Sequence, residues 1–237
     1  MEHKTISRLL EPFEKSIVKQ IEIICKAPLA LNYNSYYEIF YRETRLRKIS
    51  FHSHDVDERH LVLGEGTSIY SFRECLKNFP SPKVDFGYFF INFPFYIESV
   101  TKNSFYNKKL FTDVEGFLKF SPYSDVKIGH ADKIDLIEVA SLKKIQYLWN
   151  GPKSMIDVCK DCEFRNMCLD SRLPVSTISG RRYHISECSY NPYICKWRGE
   201  EGYASLGECG IIVNESGMNI QEDVLLERIN EIYGNEN

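Results

Sequence analysis

Cys159, Cys162 and Cys168 stand in a Cys-x2-Cys-x5-Cys run, and two more thiols follow a basic loop in Glu187-Cys188-Ser-Tyr-Asn-Pro-Tyr-Ile-Cys195-Lys-Trp197. A Cys-x2-Cys knuckle presents two sulfurs on one side of a tight turn, so the segment can close on a single ion or cluster. Spacing alone leaves both zinc and [4Fe-4S] open, and it leaves open which later thiol completes the set. The competing use of these cysteines, a disulfide framework, needs an oxidising compartment. Met1-Glu-His-Lys-Thr leads into polar, amphipathic sequence without an apolar core of signal-peptide length. No run approaches the roughly 20 apolar residues of a membrane span. The expectation is therefore a cytoplasmic protein with reduced thiols available to metal. Cys25 ends an apolar run, Cys75 lies in an amphipathic stretch and Cys209 sits in a Gly-rich turn, where packing is the ordinary role of a free cysteine.

A second constellation is Phe51-His52-Ser-His54-Asp55-Val-Asp57-Glu-Arg-His60. His-x-His at a strand end opens the site of several metal-dependent hydrolases, in which a bound metal activates water. Here the later ligands are not evident, because His130 and His184 are isolated in the sequence, and a polar loop is the expected reading. Glu163 and Arg165, between the thiols, are expected to pair locally or to hydrogen-bond around the metal ligands. No Gly-rich phosphate loop, nucleophile elbow or carboxylate pair stands out.

These groups need a scaffold. The 237 residues, with 43% hydrophobic and 14% aromatic content and a net charge of -3, describe a globular chain of one domain or two small ones. The basic clusters Arg45-Leu-Arg47-Lys48 and Arg181-Arg182 are too short for a nucleic-acid stripe, so no nucleic-acid partner and no membrane are expected.

Leu9, Leu10, Phe13, Ile17 and Val18 predict a helix over Ser7–Lys19, with Pro12 in a first turn. Ile21–Cys25 predicts a buried strand, and Asn34–Thr44 a helix capped by Asn34 or Ser35 that buries Tyr37, Phe40 and Tyr41. Lys48–His52 reads as a strand, Leu61–Phe72 as a hairpin turning at Gly64-Glu-Gly66, and Phe86–Phe93 as a buried strand ending at Pro94. Further on come a hairpin at Lys109–Thr112 and Phe117–Phe120, a helix from Val139 to Trp149, the thiol segment, and an amphipathic helix from Ile220 to Tyr233. The alternation predicts an α/β fold with a mainly parallel sheet and a boundary near residue 100.

The later half resembles a known family. Cys159-Lys-Asp-Cys162-Glu-Phe-Arg165-Asn-Met-Cys168 and Cys188-Ser-Tyr-Asn-Pro-Tyr-Ile-Cys195-Lys-Trp197 are similar to the SPASM domain, the cluster-binding extension of radical-SAM peptide-modifying enzymes. The wording is closest to the SPASM-domain peptide maturase of grasp-with-spasm systems, which accompanies an ATP-grasp ligase and a short precursor peptide. Asn107-Lys-Lys-Leu-Phe-Thr-Asp113-Val-Glu-Gly116 through Ser121-Pro122, Gly199-Glu-Glu-Gly-Tyr203 and Glu208-Cys209-Gly210 extend the likeness from about residue 105 onward. It implies residues 1–100 as an α/β region resembling part of a radical-SAM barrel, and residues 101–237 as a metal-stabilised SPASM-like domain ending in a helix.

The departures are informative. SPASM domains usually hold two clusters, one using a Cys-x(9-15)-Gly-x4-Cys hairpin and a cysteine just after the knuckles. Here the hairpin positions are Phe105, Gly116 and Ser121, and the post-knuckle position is Arg172. The set matching the other cluster, Cys159, Cys162, Cys168 and Cys188, is intact, with Cys195 in reserve and Cys209 behind it. The resemblance implies one [4Fe-4S] cluster, with zinc as the alternative. The Cys-x3-Cys-x2-Cys loop that radical chemistry requires is missing, since Cys25 and Cys75 stand alone. The implied role is in ribosomal-peptide (RiPP) maturation, binding or positioning a precursor peptide for an ATP-grasp ligase without S-adenosylmethionine cleavage. The alternatives are a hydrolase using the His52/His54 region and a metal-stabilised interaction domain.

Overall fold

A computed structural model describes residues 6, 10, 13, 18–62, 67–73, 89–121 and 124–234. The chain divides into two compact units, residues 1–80 with 135–137, and residues 81–134 with 138–237. The fold is mixed α/β.

In the first unit, β1 (Ile21–Lys26), α1 (Asn34–Arg42), β2 (Leu46–His52), β3 (Glu58–Leu61) and β4 (Ser68–Phe72) follow in order. The sheet runs β1-β2-β4-β3, with β1, β2 and β4 parallel and β3 antiparallel to β4. It is an open sheet, and no closed barrel forms among the described residues. β-Branched Ile23, Ile49 and Ile69 align across the three parallel strands, as expected where side chains pack on a pleated surface. Ile49, Phe51 and Ile69 are fully buried with Phe40 and Leu46.

Several sequence expectations shift here. Strand β1 forms where expected but as a half-exposed sheet edge, with Cys25 its buried residue. Helix α1 buries Tyr36, Ile39 and Phe40, an i, i+3, i+4 stripe, and leaves Tyr41 67% exposed. Its first turn is held by Asn32, whose Oδ1 accepts from Asn34 N at 3.1 Å and whose carbonyl accepts from Ser35 Oγ at 2.7 Å. Asn34 and Ser35 are thus inside the helix. The Gly64–Gly66 turn of the β3–β4 hairpin and most of the expected Ser7–Lys19 helix lie outside the described residues.

The second unit begins its regular structure with α2 (Phe93–Thr101), where a strand ending at Pro94 was expected. Asn92 decides the matter, because its Oδ1 accepts from Phe95 N at 2.9 Å and Pro94 occupies the first turn, where a missing N–H is harmless. Phe89, still extended, bridges Cys168. The expected hairpin is present as β5 (Phe111–Thr112) and β6 (Phe117–Lys119), joined by β7 (Lys127–His130) into a three-stranded sheet. The helix expected over Val139–Trp149 is two, α3 (Leu136–Ser141) and α4 (Lys143–Trp149), because Leu142 adopts extended dihedrals and Gln146 Nε2 donates to Ala140 O at 2.7 Å. The boundary expected near residue 100 falls within α2.

Beyond α4 come short turns, the two-residue pairs β8 (Val175–Ser176) with β9 (Arg182–Tyr183) and β10 (Tyr190–Asn191) with β11 (Lys196–Trp197), then the hairpin β12 (Ile211–Asn214) and β13 (Gly217–Ile220), and α5 (Glu222–Tyr233). Leu225, Ile229 and Ile232 of α5 pack on a small core of Ile194, Ala204, Cys209 and Ile211. Gly210 turns the chain into β12 at φ +71°, where an added Cβ would meet Val224 Cβ at 2.9 Å and Gln221 O at 3.1 Å. Gly210→Ala is expected to lower stability by about 1–2 kcal/mol, the cost of a left-handed alanine, with any clash adding to it. A urea midpoint equal to the parent's would refute this.

Candidate metal centre

The chain enters the knuckle through Val158, a β-branched residue at φ +69°, ψ −54°. Those dihedrals are close to the rare, strained γ-turn with positive φ, immediately before Cys159. Short turns at Cys159–Asp161 and Glu163–Asn166 follow, stitched by Lys160 N to Ile156 O at 2.8 Å and Cys162 N to Cys159 O at 3.2 Å. Cys168 is clamped from outside: Ser104 Oγ donates to its carbonyl at 2.9 Å, Phe90 N donates to Met167 O at 2.8 Å, and Ser99 Oγ donates to Asn166 O at 3.0 Å. Helix α2 and the segments flanking it therefore set the knuckle's position.

Cys159, Cys162, Cys168 and Cys188 line one cavity of about 30 Å³. Pockets for small organic ligands run to roughly 300–1,000 Å³, so this space suits an inorganic group rather than a peptide side chain or a nucleoside. Phe89, Phe164, Tyr190 and Trp197 form its apolar side, with Phe89 and Phe164 stacked at 4.8 Å and Tyr190 and Trp197 at 4.9 Å. Burial pushes the thiols of Cys159, Cys162 and Cys168 upward, the last two to about 12. Metal entering such a site displaces protons from its ligands.

Behind the thiols lies a buried group of charges. Asp170 is 1% exposed, Lys153 3% and Arg172 7%. Arg172 Nη2 donates to Asp170 Oδ2 at 2.7 Å and its Nε lies 3.0 Å from each carboxylate oxygen, while Lys153 Nζ is 3.5 Å away. His184 Nε2 lies 3.4 Å from the same carboxylate. Burial alone would raise the Asp170 carboxyl, but Lys153 and Arg172 hold it well below the usual carboxylate range. Burial pushes His184 down to about 3 against the pull of Asp170, so its imidazole is neutral. Arg172 Nη1 also donates to Ser186 O at 2.6 Å, tying the knuckle segment to the loop that carries Cys188.

The structure sorts the seven described cysteines. Cys195 is exposed, with its sulfur 3.7 Å from Pro192 O, and Cys209 is buried in the small core, where Asn191 Nδ2 donates to it at 3.4 Å. Neither lines the cavity. Cys25 is buried in the first unit, its thiol pushed up to about 11 by burial, and Cys75 lies outside the described residues.

Comparison with family models, with curated proteins and with solved structures finds no match. The geometry stands on its own.

Glu163 accepts from Tyr190 Oη and Arg165 Nη1 donates to Cys162 O at 3.2 Å, local roles of the kind expected. His52 Nδ1 meets Ser53 Oγ at 3.0 Å, and His54 turns back on the Val56 backbone. Among the described residues, the group of three ligand atoms within 4.8 Å of one another is Cys159, Asp170 and His184, and neither His52 nor His54 belongs to such a group. His130 pairs with Asp132 and donates to Glu115 O at 2.9 Å. His52→Ala is accordingly expected to leave bound metal unchanged; a lower metal count in that variant would revive the hydrolase reading.

Sequence reasoning missed Lys153, Asp170 and His184 as members of the site and treated Arg172 as a lost ligand. The available signal was that Asp170 and Arg172 follow the last knuckle cysteine at once, in a stretch with little else to bury. No helix among the described residues is long and apolar enough to cross a membrane.

Proposed function

We propose that Cys159, Cys162, Cys168 and Cys188 hold one inorganic centre, as in a SPASM-like domain that retains a single site. The observation that carries this reading is the meeting of these four thiols, from two separate segments, around one cavity from which Cys195 and Cys209 are absent. The resemblance favours [4Fe-4S], and a four-thiolate zinc is the alternative.

The Cys159, Asp170 and His184 trio meets single-ion spacing, but its carboxylate is already engaged by Lys153 and Arg172. A divalent cation placed there would face two buried positive charges, so the trio is better read as support for the thiols. In function, the protein binds or positions a precursor peptide for a partner ATP-grasp ligase and does not cleave S-adenosylmethionine. The edge of β1, paired on one side only among the described residues, offers a strand-addition site for an extended peptide.

The test is iron, acid-labile sulfide and zinc content of anaerobically purified protein, with its visible spectrum. About four iron and four sulfide per chain support the retained cluster. About one zinc without sulfide would make the centre purely structural. Incubation with S-adenosylmethionine and reductant is expected to release no 5′-deoxyadenosine, and its release would overturn the non-radical assignment.

A further inference from the structure

Resting on the four-thiol centre proposed above, we infer that Lys153 and Arg172, held in place by Asp170, are the built-in counter-charge of that centre and tune its affinity and potential. Both cations are buried and line the cavity that the four thiols line. Lys153 is within electrostatic reach of Cys168 and Cys159, and Arg172 of Cys159 and Cys188. Two cations share one buried carboxylate. The group therefore carries net positive charge inside the fold, which is costly unless something balances it.

Among the described residues lining that cavity, nothing else supplies the balance. Asp157, also buried, is occupied by Lys160 at 3.1 Å and by Arg181. Arg165, the remaining cation on the lining, adds to the imbalance. Four thiolates around either zinc or an iron-sulfur core retain negative charge, and they face these two side chains. Asp170 sets direction as well as charge, since its grip on Arg172 Nε and Nη2 leaves Nη1 to brace Ser186 beside the Cys188 loop. Lys153 and Arg172 are thus positioning and tuning residues, with no part in ligation.

The experiment uses full-length protein and two probes: cobalt(II) in competition with a chelator, and iron with sulfide followed by redox titration. Lys153→Met and Arg172→Gln are each expected to weaken cobalt(II) about 10- to 100-fold, the usual effect of losing a residue that supports metal ligands, and to lower the midpoint potential of the reconstituted cluster. Arg172→Lys, which keeps the charge, should restore most of both. If Arg172→Gln does not fold, Lys153→Met decides alone, because Asp170 keeps its hydrogen bonds to Arg172. Unchanged affinity and potential in folded Lys153→Met would overturn the counter-charge while leaving the centre intact. Equal losses in Arg172→Lys and Arg172→Gln would also overturn it, by making the effect one of shape. A parent protein that takes up neither probe removes the centre itself, a separate outcome.

Discussion

Cys162→Ser is expected to empty the centre, with near-complete loss of bound metal and a marked loss of soluble protein. A serine hydroxyl is a poor ligand for the metals that thiolates select, and Cys162 is the second knuckle residue on the cavity lining. Structural metal contributes folding free energy directly, on the order of 10–16 kcal/mol for zinc in small domains. The turns from Cys159 to Cys168 are short and irregular, held by a few backbone hydrogen bonds and by the contacts of α2 and its flanks, so bound metal is expected to add to their order. Cys188→Ser should match Cys162→Ser, because Cys188 lines the same cavity from another segment. Cys25→Ser and Cys195→Ser should keep full metal content, since one thiol lies in the first unit's core and the other faces outward. Metal analysis of the four variants checks this. Equal loss in Cys25→Ser would sink the ligand assignment, and loss in Cys195→Ser but not Cys188→Ser would move the fourth ligand.

Part of this architecture was legible in the residues because it depends on local rules. The β1-α1-β2 order, the Gly116 hairpin and α5 each follow from periodicity and turn chemistry. The errors arose where one side chain overrode the pattern. Phe86–Phe93 reads as strand by composition; residues 86–88 lie outside the described residues and Phe89 is extended, but Asn92 and Pro94 start a helix at the end of the run. The run before Trp149 looks like one helix until Leu142 breaks it. The stripe on α1 was misplaced by a residue, which exposed Tyr41 and buried Tyr36.

The candidate site divides in the same way. The convergence of Cys159, Cys162 and Cys168 follows from a ten-residue stretch, so spacing reveals it. The choice of Cys188 over Cys195 does not, because both follow the same loop and only the path of β10 and β11 turns one inward. The Lys153, Asp170, Arg172 and His184 group joins residues up to 31 positions apart along the chain, and no periodicity links them. Burial of opposite charges is a tertiary fact that sequence patterns encode weakly.

Asp170→Asn is expected to be the most destabilising single change in the second unit, by about 3–5 kcal/mol, the usual cost of breaking a buried ion pair from one side. The amide that replaces the carboxylate has no charge to offset Lys153 and Arg172, and its NH2 group would point donors at donors. The effect should depend on the state of the centre. In metal-free protein the two cations are left with protonated thiols, whereas in loaded protein the thiolates compensate them, so the loss should be larger without metal than with it. Urea unfolding of both forms measures the difference; a loss of the same size in both would separate Asp170 from the thiols. Acid is not a substitute for the mutation. The folded carboxyl lies well below the usual range, so its contribution is fully present above the ordinary aspartate value of about 3.9 and is lost only as pH falls through the depressed folded value. Parent protein taken from pH 7 to pH 5 should therefore keep the stability that Asp170→Asn lacks at both.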